Sequence, residues 1–186
     1  MVKINVSQQL KAPIGSIRNY GVSELVDMTS GNSLVQGEIR LMRTDRSILA
    51  KGTLHTEIEL TCSRCLSLFS HPLTLNIEEE YSPTTDVVTG APLLLPDEPD
   101  CFTIDEHNTL DLTEAIRQYA LLATPMKPLC RQDCAGLCPS CGCNLNQAPC
   151  NCPTKPVDPR WSELSKLVLA DKEASVNERK GTKLAH

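Results

Sequence analysis

The chain has 186 residues, 40% of them apolar and 22% charged. That is enough for one domain with its own core plus a small module, so the ten cysteines are not needed merely to staple a minimal scaffold. Aromatic residues make up only 3%, which makes the core aliphatic and leaves no stacking platform for bases. The formal charge of −5 hides an asymmetry: Cys65 to Ile116 holds eleven acidic residues and no Lys or Arg, so all eighteen basic residues lie outside it. Such a split suits nucleic acid on one face and a basic partner on another, or simply a solvated acidic face that keeps the protein soluble.

The amino terminus lacks the basic stretch and apolar run of a secretory signal. Nothing reaches the roughly 18 consecutive apolar residues of a membrane span, so the expected location is cytoplasmic. Thiols stay reduced there, and a dense cysteine pattern points to metal before disulfides.

Apolar and polar residues alternate at Val2, Ile4 and Val6, from Val35 to Met42, and along Ile48, Ala50, Gly52, Leu54, Thr56, Ile58 and Leu60. Period-two patterning predicts antiparallel strands with one buried face. One strand runs into Cys62, the chain turns at Ser63 and Arg64, and a second strand places Leu73, Leu75 and Ile77 on one face: a hairpin with two thiols at its tip. Four prolines and a glycine between residues 82 and 103 predict a surface loop. A helix is predicted near 111–123, with Asp111 as cap, Glu114 completing a capping box and Leu112, Ala115, Ile116, Tyr119 and Leu122 as its apolar stripe. A second helix is predicted over 158–170, capped by Asp158 and carrying Trp161, Leu164, Leu167 and Val168, with a disordered tail over 171–186. The expected fold is therefore α+β: a β-rich domain over 1–125 built on an antiparallel sheet with a packed helix, a cysteine-rich zinc module over 126–157, and a short C-terminal helix.

Seven of the ten cysteines fall within residues 129–152. Zinc takes four soft, anionic ligands in a tetrahedron, and C-x2-C on a tight turn supplies two of them at little conformational cost. Cys138, Cys141, Cys150 and Cys152 make one plausible closed site, with Gly142 free to adopt the positive φ of a zinc knuckle. Cys62 and Cys65 with Cys130 and Cys134 make a second, which would clip the hairpin to the segment leaving the helix. Other pairings, such as Cys62 and Cys65 with Cys150 and Cys152, remain open. Cys101 and Cys143 are left over and read as small, partly buried side chains. His55, His71, His107 and His186 stand at no ligand spacing.

Two enzymatic alternatives compete. Cys134-x3-Cys138-x2-Cys141 has the spacing of a radical S-adenosylmethionine iron–sulfur motif, but the chain lacks the length and alternating pattern of the barrel it opens. Cys62-x2-Cys65 would need to sit at a helix start to act as a thioredoxin-like redox pair, and its flanks alternate as strands. No phosphate loop or nucleophile elbow is present. Four sulfurs per site leave no open coordination position, which favours structural zinc and a non-enzymatic protein over a metal-dependent or thiol redox enzyme.

Taken together, "CSRCL", an acidic loop, "LDLTEAI", "LCRQDCAGLCPSCGCNLN", "CNC" and "DPRWSEL" resemble the YceD family. The resemblance spans roughly Ile58 to Leu167 and departs from the usual "CGxNLN" only in placing Cys143 at the variable position. It implies a role in accumulation of 23S ribosomal RNA and hence in large-subunit assembly. The partner expected from the residues is ribosomal RNA, or a basic large-subunit ribosomal protein engaged by the acidic stretch from Glu78 to Glu114, with no membrane or small-molecule substrate. Candidate phosphate contacts are Arg40, Arg43, Arg46, Lys51, Arg64, Lys127 and Arg131.

Overall fold

The computed structural model describes residues 1–28, 31–94, 101–153 and 160. In chain order the elements are β1 (Lys3–Asn5), α1 (Ser7–Leu10), β2 (Ile17–Met28), β3 (Gly31–Arg43), β4 (Ile48–Thr61), β5 (Leu68–Pro83), β6 (Phe102–Ile104), β7 (Thr109–Asp111) and α2 (Thr113–Ala123). The strands form one curled seven-stranded sheet in the order β1-β7-β6-β5-β4-β3-β2.

The molecule is mostly β, not the expected α+β. Two features of the chain account for the difference. Only the four residues of α1 and the eleven of α2 are helical, while β6 and β7 join the sheet where the sequence shows loop or helix start; β1 falls on the predicted alternation of Val2, Ile4 and Val6. Nor is the sheet purely antiparallel: β6 pairs parallel to β5, Tyr81 opposite Phe102, because the loop between them returns the chain to its original direction. The predicted helix over 158–170 and the tail over 171–186 lie outside the described residues, Arg160 excepted.

The meander β2–β5 follows the alternation directly. Val22, Val26, Val35, Ile39, Leu41, Ile48, Ala50, Leu54, Leu73, Leu75 and Ile77 all point inward and are buried. β4 and β5 are the longest strands, in register from Ile48 opposite Tyr81 to Thr61 opposite Leu68. Glycine is required where β3 and β4 press together: a Cβ on Gly52 would lie 2.2 Å from the Glu38 carbonyl oxygen, and one on Gly37, whose φ is +152°, 2.3 Å from that of Thr53. Removing both side chains lets the two backbones close in and the sheet curl.

The helix α2 lies against β5 and β2, burying Ala115, Ile116 and Ala120 in the same core. It starts one residue later than predicted. Leu112 holds the N-cap position without a side-chain bond, and the Asp111 carboxylate accepts from the Thr113 N–H at 2.9 Å. Glu114 faces Arg117 at 3.5 Å rather than closing a capping box. No helix among the described residues is long and apolar enough to cross a membrane.

Candidate metal centres

The β4–β5 hairpin ends in a turn, Cys62 to Ser67, that bends tightly enough to aim two thiols at one point. Cys62 N–H donates to the Ser67 carbonyl at 2.9 Å and Leu66 N–H to the Cys62 carbonyl at 3.0 Å, with Leu66 held at φ +58°. The same turn recurs 76 positions later. Cys138 N–H donates to the Cys143 carbonyl and Gly142 N–H to the Cys138 carbonyl, both at 2.9 Å, with Gly142 at φ +74°. Leu66 accepts the left-handed conformation that glycine adopts freely in the second turn, at a cost of about 1 kcal/mol.

Beyond α2, Pro128 accepts from the Ser63 N–H at 2.8 Å, which brings the following cysteines under the hairpin tip. The sulfurs of Cys62, Cys65, Cys130 and Cys134 all lie within 4.8 Å of one another, and so do those of Cys138, Cys141, Cys150 and Cys152. In the first group Cys62 and Cys134 stand 3.8 Å apart, and Cys65 and Cys130 3.7 Å. A tetrahedron of thiolates about 2.3 Å from a central ion has edges of about 3.8 Å, whereas a disulfide brings sulfurs to about 2.05 Å. The spacing fits a shared cation. In the second group Cys138 and Cys150 are closer, at 3.3 Å. Each group of four could hold a metal ion, and all ten cysteines are free of disulfides.

The electrostatics of the thiols divide each group. Burial pushes the Cys62 thiol up, but N–H groups of Cys130, Cys65 and Arg64 outweigh it and bring the thiol down to about 6. The Ser67 hydroxyl and N–H lower Cys65. Burial, then the thiols of Cys65, Cys134 and Cys62, push Cys130 up to about 12. In the second group the N–H groups of Cys141 and Ser140 lower Cys138 to about 6. Cys143, through its N–H and then its thiol, lowers Cys141. Crowding by Cys141 and Cys150, with burial, raises Cys152 to about 12. The knuckle thiols thus ionise readily, and Cys130 and Cys152 are opposed by that charge until a cation compensates it.

Cys143 belongs to neither quartet. It stands where Ser67 stands in the first turn, beside the second thiol of the knuckle, and is raised to about 12 chiefly by Cys141. Cys101 is half-buried and outside both groups. His55 lies 3.3 Å from the Thr74 hydroxyl and His107 3.7 Å from Glu106; neither they nor His71 joins a quartet, and His186 lies outside the described residues.

The seven candidate phosphate contacts separate into two sets. Arg64, Lys127 and Arg131 are exposed around the first quartet. There Arg64 donates to the Cys134 carbonyl at 3.0 Å, and Arg131 donates to Asn146 at 2.7 Å and pairs with Asp133 at 3.4 Å. Of the other four, Arg40, Arg43 and Lys51 lie on the sheet and Arg46 in the connection between β3 and β4. Lys51 pairs with Glu78 at 2.9 Å, Arg46 with Asp45 at 3.8 Å, and half-buried Arg43 donates to the Ser47 carbonyl at 2.9 Å. Arg40 is exposed opposite Lys51 on the outer face of the sheet, which also carries exposed Glu38, Glu57, Glu59, Glu78 and Glu80.

Residue types alone did not reveal Asn144 and Asn146. Asn144 donates to the Ser67 hydroxyl at 3.1 Å, and Asn146 donates to the Cys134 sulfur at 3.2 Å. Their place in "CGxNLN" directly after the second knuckle was the available signal.

A curled β-sheet with two four-cysteine groups beyond its longest hairpin, each able to hold a metal ion, defines the class of protein. Residues 50–168 match the family described as "Large ribosomal RNA subunit accumulation protein YceD", and the chain belongs to that family. It is 28% identical over 159 residues to an uncharacterized protein of Mycobacterium tuberculosis strain H37Rv, covering 84% of this chain and 72% of that one. It is 29% identical over 164 residues to an uncharacterized protein of Mycobacterium leprae, covering 87% and 71%. No solved structure matches the chain. The family description ties this protein to accumulation of the large ribosomal RNA subunit.

Proposed function

We propose that the protein is a non-catalytic cytoplasmic factor that supports 23S ribosomal RNA accumulation and large-subunit assembly, and that its two quartets hold structural zinc. The observation that carries the reading is the pair of four-cysteine groups whose sulfurs converge within 4.8 Å in a chain of this family. Four sulfurs and no histidine suit zinc, and four converging ligands leave no position for substrate. A purified protein with iron–sulfur absorption bands in the visible would overturn this in favour of an enzyme.

The metal-bound end contacts ribosomal RNA. Arg64, Lys127 and Arg131 are exposed beside the first quartet, and the bonds of Arg64 to the Cys134 carbonyl and of Arg131 to Asn146 restrain two of the three side chains as a platform for phosphates. Electrophoretic mobility shifts with 23S fragments across a salt series test the contact. Replacing all three residues by Gln lowers affinity uniformly over sequences and flattens the log–log salt slope by about one per cation removed. Binding that is absent, or insensitive to salt, refutes it. The acidic outer face of the sheet, with Glu38, Glu57, Glu59, Glu78 and Glu80 exposed, favours a second reading, a basic large-subunit protein as partner. Loss of pull-down when these glutamates become glutamines would support that one.

A further inference from the structure

The two quartets are not independent modules, because the segment between Cys141 and Cys150 reaches across to the first. Asn146 directs its amide N–H at the Cys134 sulfur at 3.2 Å. Its orientation is fixed from the other side, where its oxygen accepts from the Ala135 N–H at 2.9 Å and from Arg131 at 2.7 Å. Reversing the amide would set an oxygen against the sulfur and a donor against two donors. Asn144 orients this amide, its oxygen accepting from the Asn146 N–H at 3.0 Å and side-chain nitrogen at 2.9 Å. The same Asn144 donates to the Ser67 hydroxyl at 3.1 Å, in the turn that carries Cys62 and Cys65. One sulfur of the first centre therefore receives a hydrogen bond from residues 144–146, and the turn carrying two others is tied to the same segment.

That segment is held in place by the second knuckle. Leu137 bridges to Asn144, Leu145 N–H donates to the Gly136 carbonyl at 2.9 Å, and Cys138 N–H donates to the Cys143 carbonyl. Gly136, at φ +76°, closes against the hairpin tip so tightly that a Cβ would lie 3.3 Å from the Arg64 carbonyl oxygen.

We propose that Asn144 and Asn146 are positioning residues of the first metal centre supplied by the second module, so that the two centres load cooperatively. The proposal rests on the metal reading above. A bound ion at Cys138, Cys141, Cys150 and Cys152 pins the loop that carries both asparagines. An N–H aimed at a thiolate then spreads its charge and fixes its direction toward the ion, an outer-sphere effect worth about 10- to 100-fold in metal affinity. Because coupling is reciprocal, an ion in the first centre tightens the second by the same factor.

The test is zinc competition against a chelator in the full chain, with cobalt substitution to read the thiolate-to-metal bands. Cys62→Ser and Cys150→Ser isolate the second and first centres respectively. The wild-type chain is expected to bind two ions. Cys150→Ser is expected to keep one, about 10- to 100-fold weaker than the first centre of the wild type. Asn146→Asp keeps the acceptor for Ala135 and Arg131 and replaces the donor facing Cys134 with a charged oxygen. It is expected to bind two ions, with the first centre weakened and its cobalt bands shifted. An unchanged first centre in either variant overturns the coupling, as does an Asn146→Asp chain that weakens only its second centre. A wild-type chain that binds no metal removes the underlying metal reading instead.

Discussion

The two centres close rings of very different size, and their contributions to stability should differ accordingly. In the first, Cys65 meets Cys130 across 65 positions; in the second, Cys138 meets Cys150 across 12. An unfolded chain must close the same ring to offer four thiolates to one ion. The chain-entropy expression puts that closure at about 4.3 kcal/mol for the long ring and about 2.8 kcal/mol for the short one. The folded protein is spared both, so at equal intrinsic affinity the first ion should favour the folded state by about 1.5 kcal/mol more than the second. Any coupling between the centres is lost with either ion and cancels from the comparison. Urea unfolding of Cys134→Ser and Cys150→Ser in saturating zinc and reductant, followed by circular dichroism, measures the difference directly. Equal losses, or a larger loss in Cys150→Ser, would refute the argument that ring length sets the stabilisation.

The metal-free fold should show a pH optimum near 9. Cys62 and Cys138 sit at about 6 against an ordinary 9.0, so between those values the unfolded chain binds more protons and stability rises with pH; Cys130 and Cys152 sit at about 12, so above 9.0 the folded state binds more and stability declines. Urea midpoints in chelator and reductant from pH 6 to 10.5 check this. Cys143→Ser, which copies Ser67, should leave two zinc ions per chain and near-native affinity, whereas Cys143→Ala should keep the count and weaken the second centre; elemental analysis and chelator competition distinguish the two. Gly52→Val should drive a methyl group into the Glu38 carbonyl and cost about 3 kcal/mol, or roughly 10 °C in Tm by thermal melting.

The long strands were legible because one-sided burial leaves a period of two over a dozen residues, as from Val35 to Leu41 or Leu73 to Ile77. β1 was legible too, through Val2, Ile4 and Val6, whereas the other two three-residue strands show no period. β6 and β7 take their conformation from pairing with β5 and β1 across the fold, so Phe102–Ile104 read as loop and Thr109–Asp111 as the approach to a helix. The C-x2-C turns announced themselves through thiol spacing, Pro139 and Gly142, but Leu66 at φ +58° hides the likeness of the first turn to the second. The cross-links by Asn144 and Asn146 were invisible for a related reason. An asparagine in a loop reads as turn chemistry, and only the juxtaposition of residues 67 and 144, or 134 and 146, makes it something else.

The pairing of β1 with β7, Lys3 opposite Asp111, bears on how the polypeptide comes off the ribosome. The β1 segment has no docking edge until more than a hundred further residues have been made. Val2 and Val6, which are buried in the finished core, must therefore wait in the open while the β2–β5 meander assembles around nearest neighbours. Contacts of such sequence separation form slowly, so closure of the β1 edge should be a late event in maturation, and the nascent chain is most vulnerable to misassociation there.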